Sequence, residues 1–175
     1  MAIYTNSVLP SGGASSGFSG GIIQVRQTTS TALWSQTGYS PLDITGMSLS
    51  ITPRSTSNKV LCYFSVWGTS NYYKTYINLL RGSTPLCQGA AAGSRPTQTS
   101  SWADSAGEMN SHGFVFHHSL LFLDSPNTTS ATTYKLQGYG RAGYYMRVNY
   151  SVPDRNTGEY DSRYQSSFML MEVSG

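Results

Sequence analysis

Charge is scarce in this chain. Of its 175 residues only 11% are charged, under half the usual share of about 25%. It has three glutamates (Glu108, Glu159, Glu172) and three lysines (Lys59, Lys74, Lys135). These are the residues that fill the exposed faces of helices, so a helical bundle, a coiled coil and an ordinary soluble α/β enzyme are disfavoured. Long apolar runs are missing too. The most apolar stretch, Phe114 to Leu123, is broken by His117, His118 and Ser119, well short of the roughly 18 residues of a membrane span. No cluster of lysines and arginines offers the electrostatic footprint of nucleic-acid binding, although net charge is +3. Met1 to Asn6 lacks the basic and apolar regions of a signal peptide. The expectation is a protein that stays in the cell that makes it. Cysteine is limited to Cys62 and Cys87. They read as two buried thiols acting as small hydrophobes, while spacing alone leaves a disulfide between them open. No CxxC or Cys/His cluster suggests zinc.

Catalytic patterns are absent as well. No GxSxG frames a nucleophile. The eight carboxylates form no recognisable acid/base pair, and the glycine-rich segments fit neither a phosphate loop nor a dinucleotide loop. His117 and His118 are neighbours on a strand and point to opposite faces, so one subunit cannot bring both to one metal. His112 has no ligand spacing around it. Neither catalysis nor a cofactor nor a metal is expected.

Small polar and aromatic residues are what remain. Serine and threonine number 28 and 18, tyrosine 13 and glycine 18. This mixture suits many short strands joined by polar turns. Residues 1–20 carry mostly Gly and Ser, with Ile3, Tyr4, Val8, Leu9 and Phe18 as the apolar points of an extended arm. Strand patterns occupy residues 21–175. They are expected at 22–28, 47–52, 59–67, 73–80, 85–88, 114–124, 132–138, 144–148 and 167–173, with long polar loops at 89–111 and 153–164. Met47, Leu49 and Ile51 alternate with polar neighbours, as in a half-buried strand. The simplest closed architecture is an all-β antiparallel β-sandwich, the jelly roll among its forms.

Three strands break the simple alternation. Residues 59–67 (KVLCYFSVW), 114–124 and 167–173 are apolar on both faces. A sandwich covers only one face of each sheet, and no helix is at hand to cover the other. A second copy of the same sheet is the natural cover, so the pattern predicts an oligomer.

Several segments together carry a resemblance. They are Gly20 to Gln27 (GGIIQVRQ), Ser48 to Pro53, Leu79 to Thr84, Leu123 to Gln137 and Phe168 to Val173. In these the chain resembles small virion proteins of tailed bacteriophages, especially phages of aquatic bacteria. The resemblance implies a jelly roll like that of tumour necrosis factor, assembled as a homotrimer around one sheet. Candidates for the trimer interface are Tyr63, Trp67, Phe116, His118, Leu120, Phe168 and Leu170. It implies a capsid decoration (cement) protein on the virion surface, with the major capsid protein as partner. Ile3, Tyr4, Val8, Leu9 and Phe18 would lie along the capsid, since a short arm suits such contact better than it suits a fibre shaft. The alternative is a tail-fibre or receptor-binding tip. It would recognise host glycans on an aromatic platform, for which Tyr72, Tyr73, Trp102, Tyr160 and Tyr164 are candidates. Arg141, Arg147, Arg155 and Arg163 recur in the same third of the chain and could pair across subunits or against an acidic capsid surface.

Overall fold

Alternating and doubly apolar segments become strands throughout. The computed structural model describes residues 21–71, 73–104, 114–152, 154–159 and 161–175. Among them there is no helix, hence none long and apolar enough to cross a membrane. The strands are β1 (Ile22–Ser30), β2 (Trp34–Thr37), β3 (Leu42–Ile51), β4 (Lys59–Ser70), β5 (Tyr73–Arg81), β6 (Thr84–Leu86), β7 (Ser100–Asp104), β8 (Phe116–Asp124), β9 (Thr132–Tyr139), β10 (Tyr145–Val148) and β11 (Ser166–Val173). The arm expected at residues 1–20 lies outside the described residues.

Two antiparallel sheets face each other, as a β-sandwich requires. The first runs β1-β11-β4-β10-β2, with β8 also on β4; the second runs β3-β9-β5-β6, with β7 also on β5. β4 is the spine of the first sheet. One of its edges pairs with β11 over residues 59–65 and then with β10 over 68–70; the other pairs with β8 over residues 60–68. Val60, Cys62, Phe64 and Val66 of β4 point between the sheets, with Phe168 and Leu170 of β11. They meet Ile77, Leu79, Tyr134 and Leu136 of the second sheet. Burying so many large side chains, each stabilising by about 1.5–3 kcal/mol, is the main force holding the layers together.

Two departures from regular pairing decide which residues enter this core. In β3, Asp43 pairs with Gln137 and Ser48 with Lys135, so Ile44 to Met47 stand opposite Leu136 alone. The extra residues let Ile44 and Met47 both turn inward, where they are 3% and 0% exposed. Gly46 makes this possible at φ +80, a conformation that side chains resist, and it passes close against Ser30. The second departure lies in the expected loop 89–111, where β7 pairs with β5 and carries Trp102 into the core at 5% exposure. Trp102 fits because β4 offers Gly68 beneath it. A Cβ there would lie 2.4 Å from the indole ring. Gly68→Ala is therefore expected to destabilise the fold by about 1–3 kcal/mol through overpacking, read as a lower denaturation midpoint in urea. An unchanged midpoint would mean that the indole has room to move.

Two buried carboxylates are fully engaged. Asp124, at the end of β8, accepts hydrogen bonds from Arg81 Nη1 (2.7 and 2.9 Å) and from the Tyr134 hydroxyl (2.6 Å), tying β8 to the second sheet. Glu172, 0% exposed on β11, accepts from Gln24 Nε2 (2.6 Å), the Arg54 N–H (2.6 Å) and Asn58 Nδ2 (2.5 Å). Burial alone would raise the Glu172 carboxyl; these bonds outweigh it and hold the group below its ordinary value.

Candidate functional site

The parity of β4 sets the site. Because Val60, Cys62, Phe64 and Val66 face inward, Leu61, Tyr63, Ser65 and Trp67 face away from the core. Antiparallel partners share a face, so the pairing extends this surface across four strands. One row is Val25, Met171, Leu61 and Leu123; the next is Gln27, Met169, Tyr63 and Leu121. A third is Thr29, Ser167, Ser65 and Ser119, and beyond it lie Trp67 and His117. The surface is apolar at one end, hydroxyl-bearing in the middle and aromatic at the other end. None of these rows contains a charged residue. Leu121 is 61% exposed and Val25 is 51% exposed.

The aromatic end is held together by stacking. The Trp67 ring lies 5.0 Å from that of Tyr164, nearly parallel, and 4.6 Å from that of His117. His117 Nε2 and the Ser65 hydroxyl share a 2.7 Å hydrogen bond.

The outer surface of the second sheet is different in kind. Asp43 accepts from Lys135 (2.9 Å) and Gln137 (2.8 Å), and the hydroxyls of Ser50 and Thr133 are 2.7 Å apart. Those groups are polar and satisfied within the chain, as suits a surface facing water. The Asp43 carboxyl feels some burial, which raises it, but the amide and ammonium donors win and lower it. The contrast between the faces is informative. A soluble monomer rarely leaves an uncharged apolar sheet face open, and contiguous patches of that kind mark interaction surfaces.

The predicted interface residues divide by parity. Tyr63 and Trp67 lie on the outer face. Phe168 and Leu170 do not: both are 0% exposed between the sheets. Leu120 packs against the core, and Phe116 and His118 share its side of β8. His118 bridges the sheets, with Nδ1 2.7 Å from the Ser100 hydroxyl and its ring 4.5 Å from that of Trp102. Burial lowers its pKa, helped by the neighbouring His117. Phe168 and Leu170 are thus closed to contact with another copy, whereas Phe116, on the same inward side of β8, is 40% exposed. In a strand apolar on both faces, a shift of one position exchanges the sides. The outward residues that the sequence reading passed over are Met169, Met171, Leu121, Leu123 and His117. No sequence signal separates them from their neighbours, but once Tyr63 is placed outside, its pairing partners Met169 and Leu121 follow.

The glycan-platform candidates scatter. Trp102 belongs to the core, and Tyr164 lies at the aromatic end of the outer face. Tyr72, Tyr160 and the side chain of Tyr73 lie outside the described residues, as do Ile3, Tyr4, Val8, Leu9 and Phe18 of the arm. Among the recurring arginines, Arg155 and Arg163 pair within the chain, with Asp161 (2.8 Å) and Asp154 (2.5 Å). Arg147 lies between the rings of Tyr145 and Tyr150, 4.2 and 4.9 Å from their centres. Cys62 and Cys87 are both free thiols, and burial pushes the Cys62 thiol up. Among the described residues no group of three His, Cys, Asp or Glu side chains is placed to hold a metal. Compared with known protein families and with curated proteins, the chain matches none, so its function is read from this geometry and from the residues that form it.

Proposed function

We propose that this protein is a structural component of a bacteriophage virion, a homotrimer that decorates the outer capsid surface and stabilises the shell. The observation that carries the reading is the outer face of the first sheet, whose rows from Val25 to Leu123 and from Gln27 to Leu121 are uncharged and largely apolar. Copies packed through it would remove Val25, Leu121 and Leu123 from water. The strand order supports the jelly-roll form of the sandwich: β1, β11, β4 and β8 in one layer, and β3, β9, β5 and β7 in the other, with the chain passing repeatedly between layers. The three-fold state comes from the resemblance to trimeric virion proteins. The low charge of the whole chain fits a protein whose surfaces are largely given to contacts. The polar second sheet would then face solvent, and residues 1–20 would extend the contact with the capsid.

The test uses the full chain and a version lacking residues 1–20. Light scattering should give a particle of three 19.0 kDa chains for both, and only the full chain should add to undecorated capsids. A 19.0 kDa particle at micromolar concentration would overturn the assembly. Full decoration by the truncated chain would remove the arm from the mechanism.

A further inference from the structure

We propose that the sandwich binds one water molecule between Thr75 of β5 and Trp102 of β7, as a fixed part of the fold. The proposal does not rest on the assembly reading, because both side chains lie between the sheets and not on the outer face of the first sheet.

The two residues are direct partners. β5 and β7 pair antiparallel with Thr75 opposite Trp102, so their side chains leave the second sheet on the same side. That side is the inner one, which Ile77 and Leu79 of β5 share. Thr75 is 1% exposed and Trp102 is 5% exposed. Each carries a polar atom that the chain leaves without a hydrogen-bond partner, Thr75 Oγ1 and Trp102 Nε1. Trp34, the other tryptophan of the core, is the useful comparison: its indole donates to the Asp43 carbonyl at 3.0 Å. Trp102 has no such acceptor. Its ring carbons Cζ2 and Cη2 lie against Gly68, and its ring is 4.5 Å from that of His118, whose Nδ1 is engaged with the Ser100 hydroxyl.

Buried polar groups in native proteins are paired, and where the chain supplies no partner an ordered water does. The chemistry of the two atoms selects the guest. An indole N–H only donates, so the guest must accept; a threonine hydroxyl gives or takes, so the guest can do either. The indole nitrogen has no lone pair to offer a metal. Neither side chain carries a charge to balance an ion of either sign, and an unbalanced ion is costly inside a core. Cβ atoms of antiparallel partners stand about 4.5–5.5 Å apart, a separation that one small molecule bridges. Water meets all of these conditions: it accepts from the Trp102 indole and donates to the Thr75 hydroxyl. The bridge has a structural task. β7 is five residues long and among the described strands pairs only with β5, so Trp102 is its hold on the core, and the water ties that hold to β5 through side chains as well as backbone.

The experiment uses the full chain labelled with ¹⁵N, and reads transfer from water to the indole N–H protons in NOE and ROE spectra. The Trp102 indole, identified by its loss in Trp102→Phe, should show water cross-peaks of opposite sign in the two spectra. That is the mark of a held molecule, whereas hydrogen exchange gives the same sign in both. Thr75→Val, which keeps the side-chain shape and removes the hydroxyl, should lose the cross-peak; Thr75→Ser should keep it. The Trp34 and Trp67 indole signals, at their parent positions, report that each variant is folded. A high-resolution crystal structure of the parent should show one ordered water within about 3.2 Å of both atoms. The proposal is overturned if the parent shows no such cross-peak, if Thr75→Val retains it undiminished, or if the crystal structure shows the hydroxyl and the indole bonded directly.

Discussion

On the proposed assembly, Leu121→Glu is expected to leave a folded monomer in place of the oligomer. Leu121 is the most exposed large residue on the outer face, at 61%, and it pairs with Tyr63 across the strand junction. In an isolated subunit the substitution touches little, and surface changes of this kind stay within about 0.5 kcal/mol of stability. In the assembly it would lose the burial of one leucine, about 1.5–3 kcal/mol per copy, and place an unpaired carboxylate on a surface with no basic residue in its rows. Several copies would carry that cost at once, which exceeds what a micromolar association can absorb. The measurement is light scattering beside thermal unfolding: particle mass should fall to that of one chain while the unfolding midpoint holds. Phe168→Ala is the contrasting case. Its side chain lies in the core, so the loss is about 3–5 kcal/mol of folding stability. If Leu121→Glu keeps the parent mass, the outer face is not where copies meet.

Glu172→Ala should be the most damaging change to a polar residue. It leaves the Asn58 amide, the Gln24 amide and the Arg54 N–H without their common acceptor; Asn58 is buried, Gln24 keeps the Thr52 carbonyl, and the Arg54 N–H is part-buried. A buried donor stranded in this way costs about 1–3 kcal/mol, so about 3 kcal/mol is expected for the cluster. The thermal midpoint should then fall by about 6–12 °C in a domain of this size. Glu172→Gln should also destabilise, because one of the donors would then face an amide NH₂. The pH dependence follows from the same bonds. The carboxyls of Glu172, Asp43 and Asp161 are all held below their ordinary values in the folded state. A lowered carboxyl gives stability that is present above its unfolded value and lost as pH falls through its folded one. The parent should therefore hold its midpoint at neutral pH and lose it in acid, below about pH 4, and Glu172→Gln should flatten that decline. A parent whose stability rose on acidification would contradict the hydrogen-bond assignment.

The contrast between these two residues shows how far the sequence could be read. Strand positions were legible because alternation and apolar runs are local properties, and β4, β8, β9 and β11 fall close to where the pattern places them. β7 was hidden in small polar residues, with Trp102 as its only apolar side chain of size. β2 was hidden in the same way, with Trp34 alone. What made those tryptophans core residues is distant: Gly68 clears a place for one, and the Asp43 carbonyl accepts from the indole N–H of the other (3.0 Å). That β4, β8 and β11 are apolar on both faces was legible. Which residues lie on it was not, because two apolar faces of one strand look alike until a partner strand fixes them. Glu172 carried a signal that went unused. A lone acid inside an otherwise apolar strand has to be either an edge or a hydrogen-bonded centre.

The place of β11 has a consequence for how the molecule is made. It lies between β1 and the spine β4, yet among the described residues it follows every other strand in the chain. Until it arrives, β1 has no neighbour in its sheet and β4 lacks most of one edge, so both expose unpaired backbone to other chains in the cell. The first sheet is therefore incomplete until β11 is in place, whereas the second sheet does not need it. The Gln24–Glu172 hydrogen bond helps to tie β11 to β1. The proposed assembly would gain a check on completeness, because the outer face through which copies are proposed to meet includes Met169 and Met171 of that strand. A chain released before it reaches them could not present the meeting surface at all.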